Sequence, residues 1–182
     1  MALVKMKDLL RRAEEKNIGC GAFSVGNMEM VRGAIRAAEE LDTPIILQIA
    51  EVRLKNSPLH LMGPMMVQAA KEAKVDVAVH LDHGLTFETV DKALELGFTS
   101  VMLDASTLPF EENIARVKAV VEKARKYGAT VEAELGLVGE VRMEAVTTVS
   151  AAQIRMMRSF TQERQVLMRL QLPSGMPMVI IR

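Results

Sequence analysis

The feature that most constrains the fold is the segment Val77–Gly84, which reads Val-Ala-Val-His-Leu-Asp-His-Gly. Its apolar, β-branched start is typical of a buried parallel strand, so the strand ends on an acid and an imidazole. Neighbouring strand residues point to opposite sides, and Asp82 and His83 can therefore take different roles only if the strand ends or bends there. We expect Gly84 to permit that bend.

Strand and helix alternate along the first three quarters of the chain. Apolar runs predict strands at residues 20–25, 45–49, 77–84, 100–104 and 130–136. Helical periodicity predicts helices at residues 3–16, 27–41, 57–74, 86–96 and 109–127, the third capped by Ser57. Five alternations without a hairpin signal predict right-handed βαβ crossovers and a parallel sheet.

Acids at the strand ends favour a barrel over an open sheet. Asp82, Asp104 and Glu134 close three successive strands, and the strand ends of a barrel meet at one mouth. An open nucleotide-binding sheet would show a glycine-rich fingerprint after its first strand, and none follows residues 20–25. The predicted fold is therefore an α/β (β/α)₈ TIM barrel, incomplete here, with about five βα units.

Composition excludes several classes of function. The 23 Lys and Arg residues balance 23 Asp and Glu residues, so no field of one sign draws in nucleic acid or an anionic membrane. A single cysteine, Cys20, suits a reducing cytoplasm. Because no signal peptide or spanning apolar run is present, we expect a soluble cytoplasmic protein.

A histidine beside an aspartate, with acids ending the next two strands, is typical of a divalent metal site with a proton-transfer partner. Imidazole suits Zn²⁺, and a nearby carboxylate can remove a proton that the metal has acidified. Taken singly, these residues also occur as helix caps, packed histidines and solvated strand ends, but their shared position favours a site. The other histidines are expected to be packed in the core, for His80, and exposed, for His60.

Residues 1–139 closely resemble the class II (zinc-dependent) ketose-bisphosphate aldolases, the family of fructose- and tagatose-bisphosphate aldolases. Four segments carry the resemblance in order and spacing: Phe23-Ser24-Val25-Gly26-Asn27, Leu81-Asp82-His83-Gly84, Val101-Met102-Leu103-Asp104-Ala105-Ser106 and Glu132-Ala133-Glu134-Leu135-Gly136.

The resemblance implies roles for five residues. His83 would ligate the catalytic Zn²⁺, Asp82 would transfer the proton, Asp104 and Glu134 would lie near the metal, and Asn27 would line the substrate pocket. The implied reaction, a step of glycolysis, is reversible cleavage of a ketose 1,6-bisphosphate to dihydroxyacetone phosphate and glyceraldehyde 3-phosphate. Zinc would polarise the ketone and stabilise the enediolate, with a monovalent cation as an optional second ion. Relatives of this kind are commonly homo-oligomers.

Two departures from the family pattern stand out. Ala50 occupies a position where many members carry serine, and from Glu140 onwards the segments that carry the second and third zinc histidines are missing. A reading frame that joins the last base of each codon to the first two bases of the following codon can be written for residues 167–181. In that frame the gene could encode Asp-Ala-Leu-Ala-Ile-Ala-Ile-Gly-Asn-Ala-His-Gly-His-Tyr, the expected zinc-ligand strand. We interpret residues 1–139 as the N-terminal part of the barrel and residues 140–182 as a frameshifted, poorly ordered non-family tail.

This interpretation has physical consequences. The first and fifth strands would become unpaired edges, and one of three zinc histidines would remain, so we expect weak or absent zinc binding and negligible aldolase activity. Two alternatives stay open. The tail could be genuine, with a basic amphipathic helix in residues 150–172, making the chain a non-catalytic half-barrel scaffold. The site could also serve another metal-dependent lyase reaction.

Overall fold

Helices and strands alternate from residue 6 to residue 135 in the part of the chain that the computed structural model describes, namely residues 2–135, 166–170 and 179–181. The helices are α1 (Met6–Glu15), α2 (Met28–Glu40), α3 (Leu59–Glu72), α4 (Phe87–Glu95) and α5 (Phe110–Tyr127), and a 3₁₀ turn spans Glu51–Arg53. The strands are β1 (Gly21–Ser24), β2 (Ile45–Ala50), β3 (Val77–Gly84), β4 (Ser100–Leu103), β5 (Thr130–Leu135), β6 (Val166–Leu170) and β7 (Val179–Ile181).

The strands form one sheet in sequence order. Strands β1 to β6 run parallel, and β7 pairs with β6 in the antiparallel sense. Parallel neighbours need crossover connections, which the helices supply between β1 and β5. The α/β class and the five predicted βα units are thus confirmed as an incomplete barrel.

The fifth strand is not an edge, contrary to the prediction. Backbone pairing continues from β5 to β6, with Val131 opposite Val166 and Leu135 opposite Leu170. Neither β6 nor β7 was predicted, because residues 140–182 show no clear hydrophobic period. The amphipathic helix predicted at 150–172 is wrong over residues 166–170, which form β6. The rest of that segment lies outside the described residues, as does the prediction of a frameshifted, poorly ordered tail.

Alternate residues of each strand face two different surroundings. One set packs against α2–α5 in a continuous apolar core, and we call this side the outer face. Its members are almost completely buried: Leu47, Ile49, Val77, Val79, Leu81, Val101 and Ala133 all have no measurable exposure.

The other set of strand residues forms what we call the inner face. Polar side chains dominate it. Ser100 and Thr130 begin β4 and β5, and the others lie further along the strands: Ser24, Gln48, His80, Asp82, Glu132 and Glu134. At the amino end, Met6 and Leu9 of α1 pack on Ile46 and Ala78. Helix α1 therefore closes one end of the inner face and leaves its polar end as the place for a site.

The N-terminal segment is anchored to the middle of the sheet. Leu3 forms a parallel bridge with Val77, supported by hydrogen bonds from Val4 N to Val77 O (2.9 Å) and from Val77 N to Ala2 O (2.6 Å).

Two local predictions meet different outcomes. Thr86 caps α4, its side chain accepting a hydrogen bond from Thr89 N, as the sequence predicts for a helix that begins at Thr86 or Phe87. Ser57 does not cap α3, because Pro58 takes the N-cap position and the Ser57 hydroxyl donates to Gly26 O (2.7 Å) instead. Among the described residues, no helix combines the length and hydropathy required to cross a membrane.

Candidate metal centre

The carboxyl ends of three neighbouring strands bring a histidine and two acids together. His83 ends β3, Asp104 follows β4 and Glu134 lies near the end of β5. Each offers one ligand atom, and the three atoms lie within 4.8 Å of one another. His83 Nδ1 is 2.8 Å from Asp104 Oδ2 and 3.9 Å from Glu134 Oε2. The predicted convergence of strand-end acids on the imidazole is therefore present.

The bend that turns His83 into the cluster occurs at His83 itself. Its φ of 43° lies in the left-handed region, which is uncommon for a residue other than glycine. The pairing of β3 with β4 shifts register between Leu81 and Gly84, as in a β-bulge.

Glycine is required at position 84 because a side chain would not fit there, and not for the bend that the sequence suggested. A Cβ atom at Gly84 would overlap the carbonyl oxygen of Met102, so only glycine lets β3 approach β4 this closely. Across this contact Asp104 N donates to Gly84 O at 2.8 Å. The same close approach therefore fixes the backbone of both His83 and Asp104.

Asp82 lies beside the cluster and is held from the opposite side. Its Oδ2 accepts a hydrogen bond from Gln48 Nε2 (2.9 Å), and Gln48 Nε2 also donates to Ser24 Oγ (3.1 Å). Its Oδ1 is 4.0 Å from His83 Nε2. The carboxylate is 8% exposed, so it has a fixed orientation and limited contact with solvent.

Hydrogen bonding sets the charges of the cluster. The bond to Asp104 raises the pKa of His83, burial opposes the rise, and the neighbouring carboxylates of Asp82 and Glu134 add to it. The bond from His83 lowers the pKa of Asp104 to about 2, against the effect of burial and with help from the Ser106 backbone N–H (3.1 Å) and hydroxyl (2.7 Å). The site thus stabilises the protonated, positively charged form of His83 beside the ionised carboxylate of Asp104.

A second polar layer lies one step deeper on the inner face. His80 is 1% exposed, its Nδ1 is 2.9 Å from Ser100 Oγ, and its Nε2 is 3.4 Å from Glu132 Oε2. His80 is in the core, as the sequence predicted, but with polar rather than apolar neighbours. His60 is exposed on α3, also as predicted.

The remaining site prediction, Asn27, has a structural role in the described part of the chain. Its side-chain oxygen accepts a hydrogen bond from Met30 N (2.9 Å) and caps α2. Its contribution to a substrate pocket stays a prediction. Sequence reasoning missed Gln48 and Ser106, although a glutamine inside the apolar run Ile-Ile-Leu-Gln-Ile was a usable signal.

The donor set suits a divalent cation. Zinc binds imidazole nitrogen and carboxylate oxygen at about 2.0–2.2 Å, so two atoms that share one ion lie at most about 4.4 Å apart. The separations of 2.8 and 3.9 Å from His83 Nδ1 meet that limit. His83 Nδ1 could therefore share one metal ion with the carboxylate of Asp104 or of Glu134, and all three ligand atoms lie within 4.8 Å of one another.

The protein comparisons converge on one family. The family model described as fructose-bisphosphate aldolase class II matches residues 4–168. The fructose-bisphosphate aldolase of Thermus caldophilus is 48% identical over 134 residues, which cover 74% of this chain and 44% of that protein. The family match continues beyond Gly139, where the resemblance seen in the sequence ends.

Solved structures agree. The YdjI aldolase from Escherichia coli K12 is similar with a TM-score of 0.71 and 36% identity, over 75% of this chain and 54% of that one. The fructose-bisphosphate aldolase of Campylobacter jejuni, at 18% identity and a TM-score of 0.77 over 92% of this chain and 57% of that one, supports the fold. The chain spans about half the length of the curated relatives that it matches.

Proposed function

The chain belongs to the class II fructose-bisphosphate aldolase family, a family of lyases, and from that membership we propose that its site serves aldol chemistry. The reaction is the reversible cleavage of a ketose 1,6-bisphosphate, fructose or tagatose, to dihydroxyacetone phosphate and glyceraldehyde 3-phosphate. The observation that carries the proposal is the convergence of His83, Asp104 and Glu134 beside Asp82 at the carboxyl ends of β3, β4 and β5.

Zinc is the cofactor that we propose for this centre, with His83 as the imidazole ligand and Asp104 and Glu134 as carboxylates beside it. When bound, the ion would supply positive charge that polarises a ketone. The hydrogen bond between His83 Nδ1 and Asp104 Oδ2 supports this arrangement, since it holds two of the ligand atoms 2.8 Å apart; its proton would leave when the ion binds.

Asp82 is the group that we assign to proton transfer. Its contact with Gln48 orients one carboxylate oxygen, and its small exposure removes most competing water. A general base requires a fixed position within reach of the proton that it takes. Gln48 of β2, itself bonded to Ser24 of β1, supplies that fixed position. Asn27 is proposed to contact substrate from the start of α2.

The 182-residue polypeptide on its own is proposed to bind zinc weakly and to turn over negligibly. The centre contains one imidazole, and the family resemblance implies three zinc histidines. The intact enzyme is proposed to be a cytoplasmic homo-oligomer that acts on a sugar bisphosphate and not on nucleic acid. A monovalent cation remains an optional second ion.

Zinc titration of metal-free protein tests the proposal, with His83→Ala as the variant and His60→Ala as the matched control on an exposed helix. We expect weak binding to one site in the wild type and in the control, and its loss in His83→Ala. Cleavage assays with fructose and tagatose 1,6-bisphosphate should show no turnover above background. Equal zinc binding by all three proteins would overturn the assignment and favour a non-catalytic half-barrel scaffold, whereas measurable turnover would overturn the proposed inactivity.

We also propose that residues 140–182 come from a shifted reading frame. The nucleotide sequence beyond the codon for Gly139 tests this directly. A shifted frame that is open and encodes the histidine-bearing strand would support it. Stop codons in that frame would contradict it, and residues 140–182 would then be a divergent family segment, in keeping with a family match that extends to residue 168.

A further inference from the structure

We propose that Glu51 is a positioning residue for the metal centre, because its carboxylate holds the loop that leaves His83. The inference rests on the proposed function and adds a residue from a different strand, one that neither the motif at the end of β3 nor the family resemblance singled out. Glu51 follows β2 at the start of the 3₁₀ turn, and its side chain is half-buried.

Both oxygens of the Glu51 carboxylate are used. Oε2 accepts hydrogen bonds from the backbone N–H groups of Leu85 (2.5 Å) and Thr86 (3.3 Å). Oε1 accepts from the hydroxyls of Thr86 (3.3 Å) and Thr89 (2.8 Å). Four donors from one short loop and the first turn of α4 therefore converge on a single charged side chain.

The loop that Glu51 holds begins directly after the residues that build the centre. His83 carries the left-handed backbone conformation, and Gly84 O accepts the hydrogen bond from Asp104 N. The segment is thus fixed on one side by β4 and on the other by Glu51 from β2. A left-handed residue persists only where its surroundings hold it, and Glu51 restrains the backbone two residues beyond His83, at Leu85.

Capping of α4 does not account for the contact between Glu51 and Leu85 N. Thr86 already caps the helix through its own side chain, which accepts from Thr89 N at 3.1 Å. The contact to Leu85 N lies upstream of the cap, between the helix and His83. The Glu51 carboxylate therefore holds the backbone that connects His83 to α4, as expected of a group that supports a metal ligand.

The test compares Glu51→Gln with Glu39→Gln. Glu39 is a matched control because it is also half-buried and accepts a loop N–H, from Lys74 at 2.8 Å, at the opposite end of β3. A glutamine at position 51 keeps the size but offers one acceptor oxygen, so it cannot serve both pairs of donors. Thr89→Val, which removes one donor to Glu51, is a milder variant should Glu51→Gln fail to fold.

Two readouts separate positioning from general stability. Zinc affinity is measured by competition with a chromophoric chelator, and the imidazole resonances of His83 are recorded by NMR in the metal-free proteins. We expect Glu51→Gln to weaken zinc binding about tenfold or more and to shift the His83 resonances, with a smaller change of the same sign in Thr89→Val. Glu39→Gln should leave both readouts at their wild-type values.

A Glu51→Gln protein with zinc affinity within twofold of the wild type and unmoved His83 resonances would overturn the inference, even if its melting temperature fell. Equal changes in Glu51→Gln and Glu39→Gln would overturn it as well. If the wild type binds no zinc, the proposed function fails by itself, and the metal-free His83 resonances still decide the role of Glu51: a shift in Glu51→Gln alone supports it, and no shift refutes it.

Discussion

The outer and inner faces of the sheet are built from alternate residues of the same strands, yet they differ in almost every physical respect. In β3 the outer face carries Val79 and Leu81, both with no measurable exposure and packed in the apolar core. The inner face carries His80 and Asp82, which are also buried but have polar partners.

The difference shows how one strand can serve both stability and chemistry. Burial of apolar surface on the outer face drives folding, at about 25 cal/mol for each Å² removed from water. Buried acids and imidazoles on the inner face contribute little net stability, because desolvation offsets their attraction. Substitutions on the two faces should therefore change different measurable quantities, and the following experiments examine that division from the largest expected effect to the smallest.

Leu81→Ala tests the outer face. The side chain is completely buried, so we expect the free energy of unfolding to fall by about 2–5 kcal/mol, measured by urea denaturation. Leu85→Ala, four residues on and 54% exposed, is the control and should change it by less than about 0.5 kcal/mol. A loss below about 1 kcal/mol in Leu81→Ala would mean that the outer face is not the stabilising one.

Gly84→Ala tests the close approach of β3 to β4, on which both the stability of the sheet and the positions of His83 and Asp104 depend. The added Cβ would meet the Met102 carbonyl oxygen, a backbone atom, so we expect a loss of about 1–3 kcal/mol in unfolding free energy together with weaker zinc binding. In Gly33→Ala on α2 the Cβ meets nothing within 4 Å, and stability should rise by about 0.5–1 kcal/mol. Similar effects of the two substitutions would refute the close approach of β3 to β4.

Glu134→Gln should separate metal binding from stability. The carboxylate is 3% exposed and 3.9 Å from His83 Nδ1, so its removal should weaken zinc binding about tenfold, or about 1.4 kcal/mol. The unfolding free energy of the metal-free protein should change by less than about 1 kcal/mol. Glu111→Gln, in the exposed first turn of α5, should alter neither quantity. A large loss of stability with unchanged zinc binding would reverse the division between the faces.

Asp104→Asn tests the pH dependence that the inner face imparts. Because the pKa of His83 is raised in the folded protein, His83 stabilises the fold fully below pH 6.5. That stabilisation is lost as the pH rises through the raised pKa. Because the pKa of Asp104 is lowered to about 2, Asp104 stabilises the fold fully above pH 3.8. That stabilisation is lost as the pH falls towards about 2.

Wild type and Asp104→Asn should therefore differ most in stability near pH 5. The expected difference is about 1 kcal/mol once solvent screening is allowed for, because the His83 side chain is 36% exposed. Urea denaturation at pH 3, 5 and 8 measures it. A difference that stays constant across these pH values would contradict the ion pair.

The alternation of strands and helices, and the acids at the strand ends, could be predicted from the sequence alone. Period-two and period-3.6 patterns depend on which residues are buried, and Asp82, Asp104 and Glu134 follow apolar runs that end clearly. These features are local, so a single sequence carries them.

Features that depend on contacts between distant segments could not be predicted in this way. Nothing in the residues around His83 shows that the left-handed conformation falls on the histidine rather than on Gly84, because β4 determines it. The contact of Glu51 with Leu85 joins two segments separated by a whole helix. Strand β6 was also missed, since it lacks a hydrophobic period and is defined by its pairing with β5.

The bridge between Leu3 and Val77 has a consequence for biosynthesis. Helix α1 cannot settle on the sheet until β3 has also emerged from the ribosome, although β1, α2, β2 and α3 lie between them in the chain. During that interval Met6 and Leu9 lack Ile46 and Ala78, the buried strand residues on which they pack in the folded protein. The apolar face of α1 therefore stays exposed during synthesis until β2 and β3 have been made.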